Sequence, residues 1–227
     1  MAFSQLNVCK RVNADKETLV LFDIDLTLSQ PSEAAAQMPN MVRHKVLFKE
    51  LLKSARVSIG DILTSVTTWG PHILIEDDTP SIVQKIAKRN IPVLAFTAAC
   101  TSTKTWRHKD LKRLGYDFTE TFEKTELSAP CFSHGVLLCG DDAKGDVLVN
   151  FLAAMDLKYK KIVFVDDREI NLLSVQDALR QHYPETAFVG LLYKGASNYP
   201  SKPVDEATFR SVWESIIASA EKGIRTK

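Results

Sequence analysis

Four groups of polar residues in this chain have the types and spacing of a phosphate-handling centre, and each is tied to an apolar run or an apolar helix. The first is Asp23-Ile24-Asp25-Leu26-Thr27, directly after Leu19-Val20-Leu21-Phe22. In extended backbone, residues i and i+2 point to one side, so the two carboxylates project together from the end of a strand. Adjacent carboxylates repel unless a cation or proton lies between them. A magnesium ion on Asp23 would relieve that repulsion and neutralise a phosphate. An isolated pair of this kind also fits an Asx-turn with a solvated second Asp; the buried strand in front makes the pattern more specific. The second group is Thr97, after Ile91-Pro92-Val93-Leu94-Ala95-Phe96 and before Ala98 and Ala99. A hydroxyl and backbone N–H groups at a strand-to-helix turn can cradle an anion, although Thr97 alone also reads as a plain N-cap. The third is Lys144-Gly145-Asp146, opening an apolar helix. A cation at a helix N-terminus opposes the dipole, which suggests a task such as offsetting a nucleophile and a phosphate; a solvated surface lysine is the plainer alternative. The fourth is Asp166-Asp167-Arg168-Glu169-Ile170-Asn171, after Ile162-Val163-Phe164-Val165. Two consecutive carboxylates ending a buried strand are costly without a cation, so Asp166 reads as a metal ligand, with Asp167 assisting or pairing with Lys144.

The elements that must position these groups follow from the apolar pattern. The three runs are short, continuous and rich in β-branched or aromatic residues, as in central strands of a parallel sheet covered on both faces. Ala187-Phe188-Val189-Gly190-Leu191-Leu192 is a further strand candidate. Helices are expected from Asp78-Thr79-Pro80 to near Asn90, from Ser102 to Leu114 with Gly115 as its stop, from Asp146 to Leu157, from Asn171 to His182, and from Asp205 to Lys222. Alternating strands and helices predict an α/β fold with a doubly wound, Rossmann-like parallel sheet. Ligands of such sheets bind beyond the carboxyl ends of the strands, where the aspartates and Thr97 fall. Between Ser29 and His72 there is no strong strand signal, and Glu33 to Gln37 and Met41 to Arg56 look helical. This divides the chain into a core of residues 1–28 and 73–227 and a small helical insertion over 29–72.

Composition bounds the class. With 227 residues and 45% hydrophobic content, the chain can bury a core of ordinary size. The 29 Lys and Arg against 28 Asp and Glu leave +1, which argues against nucleic-acid binding. The N-terminus has no apolar stretch long enough for a secretory signal, and no segment approaches the roughly 20 apolar residues that span a bilayer. The expectation is a soluble cytoplasmic protein. Cys9, Cys100, Cys131 and Cys139 form no CxxC pair, and the five histidines have no metal-ligand spacing, so reduced thiols and no zinc site are expected.

The set Asp-x-Asp-x-Thr, Thr, Lys, Asp-Asp, in this order from residue 23 to residue 167, resembles the four-motif signature of haloacid dehalogenase (HAD) superfamily phosphatases. The resemblance implies that Asp23 attacks phosphorus and forms an aspartyl-phosphate. It implies that Asp25 protonates the leaving oxygen and then activates water. Mg2+ would be held by Asp23, by the backbone carbonyl of Asp25 and by Asp166. Thr97, Ala98 and Lys144 would hold the phosphoryl group, with Thr27, Asp167 and Asn171 in support. An acid at position 25 favours phosphatase over dehalogenase chemistry. The insertion is placed like the small cap of capped members.

Other readings fit less of the pattern. A phospho-accepting receiver domain places its acidic pair first, and here it comes last. A cysteine-dependent tyrosine phosphatase needs five residues between Cys and Arg, while Cys100 and Arg107 have six between them. A glycosyltransferase leaves Lys144 and Asp166-Asp167 unexplained. A HAD-fold binding protein without turnover would not need Asp23, Asp25, Lys144 and Asp166 intact. Lys104, Trp106, Arg107 and His108 follow the Thr97 loop and could touch substrate, but the polar face of an amphipathic helix also accounts for them and is the favoured reading. Arg43, His44 and Trp69 fall in or beside the insertion. A small cap leaves room for a bulky phosphorylated substrate, here phosphotyrosine on peptide or protein, with sugar or nucleotide phosphates as the alternative. The subgroup resembles uncharacterised bacterial HAD-like proteins that include secreted effectors, so secretion into a host cell without a signal peptide is the alternative localisation.

Overall fold

The computed structural model describes residues 14–119 and 131–225. A six-stranded sheet in the order β5-β6-β4-β1-β7-β8 forms its centre. The strands are β1 (Thr18–Phe22), β4 (Val93–Thr97), β5 (Phe132–Ser133), β6 (Val136–Leu138), β7 (Lys161–Asp166) and β8 (Ala187–Leu192). All pairings are parallel except β5 with β6. The expected α/β sheet is present, with β5 and β6 added from a stretch whose short strands carry little periodicity.

The continuous apolar runs are explained by cover on both faces. Val20, Phe22, Val93, Ala95, Val163 and Val165 enter one core with Val83 and Ile86 of α4 (Thr79–Ala87) and Leu111 of α5 (Lys104–Arg113). Leu19, Leu21, Leu94, Phe96, Ile162 and Phe164 enter the other. There they meet Leu148 and Phe151 of α6 (Lys144–Ala154) and Val175 and Leu179 of α7 (Glu169–His182). Alternate residues thus serve opposite cores, as the two-residue period of a strand requires. Helix α4 starts beside Asp78 and Pro80 as read, although the Asp78 side chain makes no capping bond. Gly115, at φ +88°, stops α5 in the left-handed region that glycine adopts without strain.

Residues 29–72 carry α1 (Met38–Arg43), α2 (Lys45–Ser54) and α3 (Ile59–Trp69). The stretch read as one helix over Met41 to Arg56 breaks at His44. The segment is fastened to the sheet by an antiparallel ribbon of β2 (Ser29–Pro31) and β3 (His72–Leu74). The amphipathic C-terminal helix α8 (Glu206–Arg225) packs on this insertion and not on the sheet. Its Phe209, Trp213, Ile216, Ile217 and Ala220 share a core with Leu47, Leu51 and Ile62. The Trp213 indole donates to the Ala35 carbonyl at 3.0 Å, and Asn40 donates to the Lys202 carbonyl at 2.9 Å. Cys131 and Cys139 are free thiols, and Cys9 lies outside the described residues.

Candidate active site

Register places the motifs side by side. Phe22 of central β1 pairs with Ala95 of β4 and Val165 of β7, so Asp23 emerges beside Asp166 at the carboxyl edge. The Asp23 N–H donates to the Val165 carbonyl at 2.9 Å. Beyond it the chain turns tightly. The Ile24 carbonyl accepts from the N–H groups of Thr27, Leu28 and Ser29, and Leu26 takes φ +61°. That left-handed backbone on a non-glycine residue is uncommon and strained, a cost tolerated where a site needs the loop shape.

Lys144 sits at the start of α6 and is 3% exposed. Its ammonium donates to Asp23 Oδ1 at 2.6 Å, Asp166 Oδ2 at 2.8 Å and the Phe96 carbonyl at 2.8 Å. The rings of Phe96 and Phe164 lie 5.2 and 5.0 Å from it, so all three donors are used in a cage that excludes water. Burial works against its charge, but Asp23 and Asp166 outweigh burial and raise its pKa. Close approach of α7 fixes the helix that carries Lys144. The Gly145 N–H donates to Ser174 Oγ at 3.0 Å, and a β-carbon on Gly145 would meet the Ser174 carbonyl at 2.2 Å.

Asp166 is fully buried and braced from its own loop. The Arg168 N–H donates to Oδ1 at 2.8 Å, and the Asn171 amide reaches both oxygens at 3.0 Å. Asp23, Asp166 and Asp167 offer carboxylate oxygens within 4.8 Å of one another. Burial raises the Asp23 pKa well above the carboxylate range; Lys144 opposes this, and Asp166, Asp167 and Asp25 add to it. Burial and Asp166 push Asp167 up to about 7. A single lysine does not offset three clustered carboxylates, and an all-oxygen acidic set fits a hard divalent cation such as Mg2+.

Asp25 points elsewhere and keeps 41% of its side chain exposed. It accepts from Thr97 Oγ1 at 3.1 Å, while Thr97 accepts from the Ala99 N–H at 3.1 Å. Arg107 Nη2 lies 2.5 Å from both Asp25 oxygens and donates to Thr67 Oγ1 at 2.9 Å. Burial favours a protonated Asp25, but the Arg107 guanidinium overcomes it and lowers the pKa below the usual carboxylate value.

A family model described as a protein of unknown function, DUF2608, matches residues 4–217. The chain belongs to this family. This DUF2608 chain is 23% identical over 206 residues to an uncharacterised protein of Rickettsia prowazekii, covering 84% of this chain and 74% of that one. It is 24% identical over 202 residues to a putative outer membrane protein of Chlamydia trachomatis, covering 82% and 72%. Among solved structures it is similar to the HAD domain of effector protein Lem4 from Legionella pneumophila, at TM-score 0.45 and 8% identity over 92% of this chain and 97% of that one. It is also similar to the class C acid phosphatase from Bacillus anthracis, at TM-score 0.43 and 13% identity over 95% and 85%. Among the described residues of the DUF2608 chain, no helix is long and apolar enough to cross a membrane.

The DUF2608 chain brings Asp23, Lys144, Asp166, Asp167 and Asn171 to one place, and Asp25 with Thr97 to its rim. Lys144 pairs with Asp23 and Asp166, not with Asp167, because α6 aims it between those two carboxylates. The Thr97 hydroxyl is engaged with Asp25. Ala98 is exposed, and Thr27 is fully buried with no hydrogen-bond partner for its hydroxyl among the described residues. Arg107 is the residue of the candidate site that the favoured sequence reading placed elsewhere. Read as part of a solvated helix face, it is 1% exposed. The available signal was positional: α5 leads out of the Thr97 loop, and residues 103, 107 and 110–111 form a stripe at helical spacing that is buried.

Proposed function

We propose that this protein is a phosphomonoester hydrolase that depends on Mg2+ and works through an aspartyl-phosphate on Asp23. The observation that carries the reading is the buried Asp23–Lys144–Asp166 triad, with the acidic cluster of Asp23, Asp166 and Asp167 at the carboxyl edge of the sheet. A bound Mg2+, held by Asp23, Asp166 and Asp167, would neutralise charge on a phosphate and on these carboxylates. The backbone carbonyl of Asp25 remains a further candidate ligand.

In the first half-reaction an oxygen of Asp23 bonds to phosphorus and the bond to the leaving oxygen breaks. Asp25, which must first take up a proton against the pull of Arg107, gives it to that oxygen. In the second, Asp25 takes a proton from the water that attacks phosphorus, inorganic phosphate leaves, and the Asp23 carboxylate is restored. Lys144 offsets negative charge in both steps without exchanging a proton, since two carboxylates hold it charged. Thr97 and Ala98 stand at the turn where phosphoryl oxygens are expected.

Asp25 stays partly open while Asp23, Lys144 and Asp166 are buried. A leaving group protonated by Asp25 would lie on this open side, which supports a phosphate presented from a larger molecule, here phosphotyrosine on a peptide or protein. We read residues 29–72 as a cap that shapes this access. The test is hydrolysis of para-nitrophenyl phosphate with and without Mg2+, on wild type and Asp23→Asn in parallel. Mg2+-dependent turnover lost in the variant is expected; turnover retained in Asp23→Asn refutes the mechanism, and no turnover in wild type favours a binding role. Phosphotyrosine peptides should then outrun phosphoserine peptides and sugar phosphates; equal rates would refute the substrate reading.

A further inference from the structure

We propose that Arg107 is the positioning residue for Asp25, and that Thr67 ties it to the helical insertion, so that proton transfer to the leaving oxygen depends on how the insertion sits. The inference rests on the reading of Asp25 as the acid and base of a phosphatase. It adds a residue on α5 and a residue of the insertion to that machinery.

The placement of Arg107 is unusual for its helix. Lys104, Lys109, Lys112 and Arg113 of α5 are exposed, whereas Arg107 is 1% exposed. Arginine is seldom buried completely, because desolvating it is expensive unless its donors are paired. Here one nitrogen makes every bond. Nη2 reaches both Asp25 oxygens and Thr67, while Nε and Nη1 are buried with no hydrogen-bond partner among the described residues. An arrangement that leaves two of three nitrogens unpaired is poor as a stabilising device. It is effective at fixing Asp25.

Asp25 needs to be fixed. It stands on a loop with a strained residue beside it, and its side chain is partly exposed. A general acid works only when held within hydrogen-bond reach of the oxygen it protonates. Thr97 restrains one oxygen, and Arg107 restrains both. Arg107 is itself held from the far side. The Thr67 hydroxyl accepts from it and donates to the Leu63 carbonyl at 3.0 Å within α3. The Trp106 ring lies 5.6 Å from the guanidinium. The chain of contacts is therefore α3, Thr67, Arg107, Asp25.

The test uses the full chain and kcat/KM across aryl phosphates whose leaving phenols run from acidic to weakly acidic. Acidic phenols such as para-nitrophenol depart without a proton; weakly acidic ones need Asp25. Arg107→Gln should lose little on para-nitrophenyl phosphate and roughly tenfold to a hundredfold on the poorest leaving group, which steepens the dependence on leaving-group acidity. Arg107→Lys should restore part of that loss, and Thr67→Val should show a smaller version of it. An equal loss on every substrate, or none, overturns the inference. If Arg107→Gln does not fold, Thr67→Val decides by the same slope, steepened in support and unchanged in refutation. Asp25→Asn is the control. A steep slope there with an unchanged slope in Arg107→Gln overturns this inference alone, whereas a flat slope in Asp25→Asn overturns the phosphatase reading of Asp25 and this inference with it.

Discussion

His72 should make the protein lose stability as pH falls below neutrality, by an amount that follows from its surroundings. The residue opens β3, at the base of the insertion, and is 1% exposed. Neither ring nitrogen makes a hydrogen bond to the described residues; Nδ1 lies 3.6 Å from Asp110, and the ring meets Trp106 edge-on at 5.0 Å. Burial lowers its pKa from 6.5 to about 4, with Asp25 and Asp110 opposing and Arg107 and Arg113 assisting. The unfolded chain therefore binds a proton that the folded chain refuses. The stability associated with neutral His72 is complete above the unfolded value of 6.5 and is lost as pH falls toward about 4. Between about pH 7.5 and about pH 5 the loss is about 2 kcal/mol, with the full shift corresponding to about 3 kcal/mol at lower pH. Urea unfolding of wild type and His72→Phe at both pH values, with chelator present, isolates this contribution. Other carboxylates titrate in both proteins and cancel in the difference. His72→Phe should show a pH dependence shallower by about 2 kcal/mol. Identical pH dependence in the two proteins would refute the claim that a buried neutral imidazole sits there.

Four further outcomes are expected. Lys144→Met leaves Asp23 and Asp166 buried without their countercharge, which should cost about 3–5 kcal/mol. Added Mg2+ should return part of that stability in a thermal unfolding assay, because a cation that binds only the native state stabilises it. Asp166→Ala should raise the Mg2+ concentration needed for half-maximal hydrolysis of para-nitrophenyl phosphate; an unchanged activation curve would remove Asp166 from the metal set. Gly145→Ala places a methyl group 2.2 Å from the Ser174 carbonyl, so urea unfolding should show a loss of about 1–3 kcal/mol as α6 and α7 separate. Trp213→Ala should cost about 3–5 kcal/mol, and hydrogen exchange should rise in residues 29–72 before it rises in the sheet.

The sheet was legible because its strands are buried on both faces. Leu19 to Phe22 and Ile162 to Val165 supply residues alternately to two cores, which forces a continuous apolar run that ends at an aspartate. Short β5 and β6 gave no such signal, since two or three residues are too few to show a period. Helix α3 was missed because Ile59 to Trp69 mixes threonines and a serine among its apolar residues, and because Ile59 and Leu63 remain exposed. Asp23, Lys144 and Asp166 could be found singly, since each lies next to a strand end or helix start in the sequence.

Contacts between distant segments are what local patterns cannot carry. The amphipathic pattern of α8 says that one face is covered, but not by what. Any apolar surface satisfies it. The decisive residues are polar: Asn40 pairs with the Lys202 carbonyl and His44 with the Val204 carbonyl, which carry the chain across to the insertion before α8 begins. Arg107 is the same problem at the candidate site. Among the cations of a helix that reads as solvated, the buried one is identified only by Asp25, 82 positions earlier, and Thr67, 40 positions earlier. Both cases set a segment of the insertion against a segment far away in sequence. The insertion is thus held from two sides, by α8 on its outer core and by Arg107 at the Asp25 loop. A change that loosens α8 should accordingly reach Asp25 through Thr67, without touching the Asp23–Lys144–Asp166 triad.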